Sequence, residues 1–259
     1  MALMHIQTTG RGPDLVLIHG WAMHSGIFAP LVAALAARYT LHLVDLPGHG
    51  ASCDYAPGAL DPAACAHAIA AATPPAAWLG WSLGGLVALR GALDRPGHVR
   101  ALVAIAASPR FVVGADWPHG VGAETFRAFA DGLGTSYHAT IERFLALETL
   151  GSPEAQSELR ALRQQVFARG EPDAAVLCDG LAILDTTDLR AELATLTVPS
   201  LWIAGRRDRL IPAGAMRWAA EHAPGGHYLE LAAGHAPFLS HAEAVADAVD
   251  AFLGTEAAA

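Results

Sequence analysis

The hydrophobic positions of the chain alternate between two kinds of pattern. Short apolar runs of the sort a buried strand requires occur at residues 15–18, 76–80 and 99–105, and further strand-like segments at 40–44, 199–204 and 227–231. Between them apolar residues recur at helical spacing: Phe28, Leu31, Val32, Leu35 and Ala36 within 27–39, then residues 62–72, then a run that starts at Leu83. Strands alternating with helices imply an α/β fold, a mostly parallel, doubly wound sheet with right-handed crossovers. The alternation stops after Ser108-Pro109. From 110 to 196 only helical patterns occur, among them 136–150 and 153–168, the latter opened by Ser152 as N-cap with Pro153 in the first position. The expected organisation is a core of residues 1–109 and 197–259, interrupted by a helical cap or lid of residues 110–196. A C-terminal helix runs to Leu253, and residues 254–259 are expected to fray.

Composition narrows the picture. At 259 residues, 53% hydrophobic and 16% charged, the chain can bury one large core and is read as one domain with an insertion. A mean hydropathy of +0.33 raises the question of a membrane. The longest uncharged stretch, between Asp61 and Arg90, is broken by Pro74-Pro75 and carries Ser82 among glycines, so a buried strand and helix explain it better. The first residues, Met1-Ala2-Leu3-Met4-His5, show neither a basic region nor a long apolar segment, and a cytoplasmic monomer is expected. Cys53, Cys65 and Cys178 are scattered without any C-x-x-C, which fits reduced, small buried thiols and offers no metal site. The net charge is −9 and all 16 basic residues are arginine. Without lysine, Schiff-base chemistry, a pyridoxal-phosphate anchor, a P-loop and a Ser-Lys dyad are excluded. An acidic protein is also a poor nucleic-acid partner unless its positive charge is clustered.

The chemistry concentrates where strands end. Gly80-Trp81-Ser82-Leu83-Gly84 joins an apolar run to a helical one, a strand-turn-helix in which a serine presents its hydroxyl on a turn that closes only if its neighbours lack side chains. Asp208 and His235 each follow a later strand, in the order serine, aspartate, histidine. A serine hydroxyl is a weak nucleophile at neutral pH, so His235 must take its proton and Asp208 must hold the imidazole. His241 lies further along and is the weaker choice. Asp45 also ends a strand, but the following Leu-Pro-Gly-His-Gly reads as a turn that this aspartate braces through backbone N–H groups. The loop His19-Gly20-Trp21 follows the first buried strand, so the oxyanion hole is assigned to the backbone N–H groups of Trp21 and Leu83. None of this requires a metal or a cofactor.

These motifs belong to the α/β-hydrolase pattern, and a serine at position 82 separates the chain from the dehalogenases and epoxide hydrolases of that fold, which carry aspartate there. Four segments resemble more closely the pimeloyl-acyl carrier protein methyl ester esterases of biotin synthesis: residues 41–48, 78–88, 143–147 and 235–238. The resemblance implies hydrolysis of a methyl ester at the far end of a pimeloyl chain carried on acyl carrier protein. It further implies that Trp21, Ser82, Leu83, His235 and the segment Phe144, Leu145, Ala146, Leu147 and Glu148 contact substrate. Arg143, Arg160 and Arg163 match arginines that hold the carrier and its phosphopantetheine phosphate, whereas two further basic positions of the family are here Ala139 and Gln156. From the residues alone, Phe144 and its neighbours serve equally as core, and Glu142, Glu154 and Glu158 stand close enough to pair the arginines as ordinary surface charges. Two alternatives stay open: a broad carboxylesterase acting on small soluble esters without a carrier, and a binding protein on a hydrolase fold.

Overall fold

The structure is a computed structural model that describes residues 4–54 and 56–256. Seven strands form one sheet in the order β1-β3-β2-β4-β5-β6-β7. In chain order its parts begin with β1 (Ile6–Gly10), β2 (Asp14–Ile18), a single 3-10 turn (Ser25–Phe28), α1 (Ala29–Leu35) and β3 (Thr40–Val44). There follow α2 (Pro62–Ala72), β4 (Ala76–Trp81), α3 (Leu83–Asp94) and β5 (Val99–Ile105). All neighbouring strands run parallel except β1, which pairs antiparallel with β3. This strand was not expected. It is a sheet edge whose Gln7, Thr8 and Gly10 face water, so it lacks the apolar run that marks the interior strands.

Between β5 and β6 (Ser200–Gly205) the chain forms α4 (Ala123–Thr135), α5 (Tyr137–Thr149), α6 (Ala155–Val166) and α7 (Ala174–Thr186), with only isolated bridges among the described residues of this segment. Helices α4 and α5, α5 and α6, and α4 and α7 pack in pairs, and α6 rests on the 3-10 turn and on α9 (Pro237–Ser240). The start of α6 differs from expectation: Ser152 does not cap it. Its Oγ donates to Glu158 and accepts weakly from the Glu154 N–H, and the helix begins two residues beyond Pro153.

The core closes with α8 (Ala213–His222), β7 (Gly226–Leu231) and α10 (Ala242–Glu256). The last helix runs through Gly254 and Thr255, which were expected to fray; residues 257–259 of that expectation lie outside the described residues, as do residues 1–3 of the reading of the N-terminus. No helix among the described residues is long and apolar enough to cross a membrane. Of the cysteines, Cys65 is buried but Cys53 is exposed, which corrects the reading of all three as buried. The central strands β4 and β6 are buried at every position, as continuous apolar runs between two helical layers must be. Helix α2 shows the local logic of a start: Asp61 accepts from the Ala64 N–H at 2.9 Å and Pro62 takes the first position, where no donor is needed.

Candidate active site

Ser82 sits between β4 and α3 with φ 55° and ψ −121°, a left-handed conformation costly for any residue with a Cβ. The surrounding packing enforces it: a Cβ at Gly80 would strike the carbonyl of Gly84, and one at Gly84 would strike the carbonyl of Ile18. The helix start is thereby pressed against both β4 and the end of β2, and Ser82 points along the carboxyl edge of the sheet.

There it meets His235. The Ser82 hydroxyl donates to His235 Nε2 at 2.9 Å, and His235 Nδ1–H donates to Asp208 Oδ2 at 2.7 Å. The other carboxylate oxygen of Asp208 accepts from the N–H groups of Leu210 and Ile211 at 2.8 and 2.9 Å, so the acid cannot rotate away from the imidazole. Burial alone would lower the pKa of His235; the charge of Asp208 and its hydrogen bond override that, and the net shift is upward from 6.5. An imidazole held in this tautomer by a carboxylate can accept the serine proton and carry it to a leaving group. His241 takes no part and bonds Ser240 Oγ at 2.9 Å.

Asp45 is placed as the turn brace. Its carboxylate accepts from the N–H groups of Ser25 at 2.7 Å and Ala51 at 2.9 Å, and Arg169 of the insertion reaches it at 3.1 Å.

A Cβ at Gly20 would lie 3.2 Å from Ser82 Cβ, so the loop 19–21 runs directly beside the serine. Neither the Trp21 nor the Leu83 N–H has an acceptor among the described residues, which leaves both free for an oxyanion. His19, which sequence reading passed over, sets the direction of one of them. It is buried and neutral, its pKa lowered to about 3 by burial and by the nearby His49. Its Nε2 accepts from the Leu46 N–H at 3.0 Å, which leaves Nδ1–H to donate to the Gly20 carbonyl at 2.8 Å. The planar peptide then fixes where the Trp21 N–H points. Trp81 is a second residue whose role was not read: its Nε1–H donates to the His235 carbonyl at 2.8 Å and holds the histidine loop. A large aromatic inside a Gly-x-Ser-x-Gly turn was the available signal.

The insertion covers this site. Ser82 is 2% exposed and Trp21 and Phe144 1% each. The Trp21 and Phe144 rings pack at 4.4 Å, and Trp21 Nε1–H donates to the Leu177 carbonyl of α7 at 2.8 Å. Helix α5 turns Phe144, Leu145 and Glu148 inward, leaves Leu147 half-buried, and turns Ala146 outward with Arg143. Glu148 reaches furthest: its carbonyl accepts from the His235 N–H at 3.0 Å, and its carboxyl, with Oε2 unpaired, is buried so completely that its pKa rises to about 8. Glu158 is also buried, bonded to Ser152 and lying beside Gly234, and so is no surface partner of the arginines as had been supposed. Arg163 pairs with Glu142 at 2.6 Å, Arg143 donates to Thr140 Oγ1 at 3.1 Å, and neither Arg143 nor Arg160 has a carboxylate partner among the described residues.

An α/β sheet with a strained serine, a buried histidine and an aspartate at its carboxyl edge defines a serine hydrolase, and the alpha/beta hydrolase family, whose model matches residues 15–248, is the one to which this chain belongs. Within it the chain groups with the pimeloyl-acyl carrier protein methyl ester esterases. It is 58% identical over 254 residues to the protein of that name from Xanthomonas campestris pv. campestris, covering 96% of this chain and 98% of the relative. It is 57% identical over 252 residues to that of Stenotrophomonas maltophilia, covering 96% of both. Solved structures agree on the fold: an esterase from Exiguobacterium antarcticum superposes with a TM-score of 0.85 at 21% identity, covering 97% of this chain and 95% of that one. A bromoperoxidase from Bacillus anthracis gives 0.87 at 22% identity, covering 97% and 95%.

Proposed function

We propose that this chain hydrolyses the methyl ester at the free end of a pimeloyl group held on acyl carrier protein, in the assembly of biotin. The observation that carries the chemistry is the 2.9 Å contact between Ser82 Oγ and His235 Nε2, backed by Asp208. Ser82 attacks the ester carbonyl as His235 takes its proton. The N–H groups of Trp21 and Leu83 hold the oxyanion; as it collapses, the departing methoxide oxygen takes the proton from His235 and leaves as methanol. Water, deprotonated by the same imidazole, then releases the free carboxylate from Ser82. Residues 110–196 act as the lid: Phe144, Leu145, Leu147 and Glu148 from the lid and Trp21 from the core wall the acyl chain, while the outward position of Ala146 argues against a lining role for it. Because the serine is almost fully covered, the lid must open before the acyl chain can reach it. Arg143 and Arg160, exposed and free of carboxylates, face the carrier; Arg163 is partly neutralised by Glu142. The names of the relatives support this substrate. The test is the ratio of kcat/KM for the carrier-linked ester to that for a short soluble methyl ester. A strong preference for the carrier-linked form is expected, and equal values would replace this reading with a broad carboxylesterase.

A further inference from the structure

Several arginines of this surface hold carboxylates, as Arg90 holds Asp94 and Glu192 and Arg163 holds Glu142, while others, Arg143 and Arg160 among them, hold none among the described residues. The loop that leaves β6 gathers three of the second kind. In Arg206-Arg207-Asp208-Arg209 all three arginines are exposed, and none has a carboxylate partner among the described residues. The one acid of the loop is withdrawn from the surface, because both its oxygens are taken by His235 and by the N–H groups of Leu210 and Ile211. The outer face of the loop is therefore purely cationic. Arg207 donates to the Gly151 carbonyl at 3.3 Å, which seats the loop against the turn between α5 and α6. Of the carboxylates on the adjoining elements, Glu230 is held by Arg217 and Tyr228, and Glu154 accepts from the Ser157 hydroxyl.

Three like charges within four residues repel one another and have no ion pair among the described residues to offset it. In a chain of net charge −9 they stand out against a field of opposite sign. The loop also lies at the carboxyl edge that carries Ser82 and His235, at the junction of core and insertion. Resting on the carrier-linked reading above, we infer that Arg206, Arg207 and Arg209 form a docking corner for the negatively charged surface of the acyl carrier. They supply from the core side the positive charge that Ala139 and Gln156 do not supply from the insertion. The main-chain N–H groups of Arg206, Arg207 and Asp208 bond Leu231, Ala233 and Gly205, contacts that do not depend on the arginine side chains, so the arginines can be altered without dismantling the loop.

The test compares the triple variant Arg206→Gln, Arg207→Gln, Arg209→Gln with the charge-preserving Arg→Lys triple at the same positions. KM and kcat are measured at low and high salt on the carrier-linked methyl ester and on a short p-nitrophenyl ester. The glutamine variant should raise KM for the carrier-linked ester about tenfold or more, change kcat little, and flatten the salt dependence. The lysine variant should stay near wild type, and all three proteins should treat the short ester alike. An unchanged KM and salt slope in the glutamine variant would overturn the docking corner while leaving the carrier-linked substrate intact. Parallel loss on both esters would overturn it in favour of a purely structural role in holding Asp208. Wild type without any preference for the carrier-linked ester would instead defeat the underlying substrate reading, and the corner with it.

Discussion

Replacing Glu148 with glutamine should stabilise the protein, and by an amount that grows with pH. In the folded chain burial raises this carboxyl from an ordinary 4.5 to about 8, so the native state keeps a proton that the unfolded chain has already lost. Wherever the native state binds the extra proton, raising pH favours unfolding, at about 1.4 kcal/mol per pH unit for one group. The loss begins near 4.5, continues to about 8, and stops there because both states are then ionised. Glutamine has the shape of the neutral acid and does not titrate. Its advantage should therefore widen by on the order of 3 kcal/mol between about pH 5 and about pH 8, roughly 6–12 °C in Tm for a chain of this size. Calorimetric melts of both proteins at several pH values within that window are the assay. A Tm difference that stays constant with pH would refute the reasoning, since it would mean that Glu148 is ionised in the fold.

Ser82→Ala and His235→Ala should each lower kcat by on the order of 10⁴ with Tm little changed, and Asp208→Asn somewhat less; Asp45→Asn should cost stability instead, and a loss of kcat there with a silent Asp208→Asn would reverse the choice of acid. The acid limb of kcat/KM should be centred above the ordinary histidine value of 6.5, because Asp208 raises His235 and the base must be neutral to act; a limb centred below 6.5 would contradict the geometry. Phe144→Ala should cost about 3 kcal/mol or more as a buried aromatic and shift chain-length preference toward bulkier acyl groups, whereas equal activity losses on long and short esters would make Phe144 core alone.

Ser82, Asp208 and His235 could be brought together from sequence because each follows a strand-like segment, and parallel strands end at the same edge of the sheet whatever the packing around them. Asp45 braces the turn after it for a local reason too, through the Ala51 N–H at the end of that turn, whereas its second partner, the Ser25 N–H, comes from a loop 20 residues earlier and was not foreseen. What escaped depends on contacts distant in the chain. The edge strand β1 buries only Ile6 and Thr9 in part, too little to leave an apolar pattern. Glu158 looks like a surface charge on an exposed helix and becomes buried only because α6 lies over the loop that carries His235. Ser152-Pro153 has the form of a helix start, yet the Ser152 hydroxyl is drawn to Glu158 instead. His19 and Trp81 each act through one hydrogen bond whose meaning appears only once the oxyanion loop and the histidine loop stand beside Ser82.

The central claim is that Ser82, activated by His235, cleaves the terminal methyl ester of a carrier-bound acyl chain. Its most direct test is mass analysis of the carrier after incubation of pimeloyl methyl ester-acyl carrier protein with the wild type and with Ser82→Ala. The wild type should release methanol and leave the acyl chain on the carrier, lighter by one methylene, and Ser82→Ala should leave the carrier unaltered. Release of the free carrier thiol with the methyl ester intact, or methanol release undiminished in Ser82→Ala, would contradict the account.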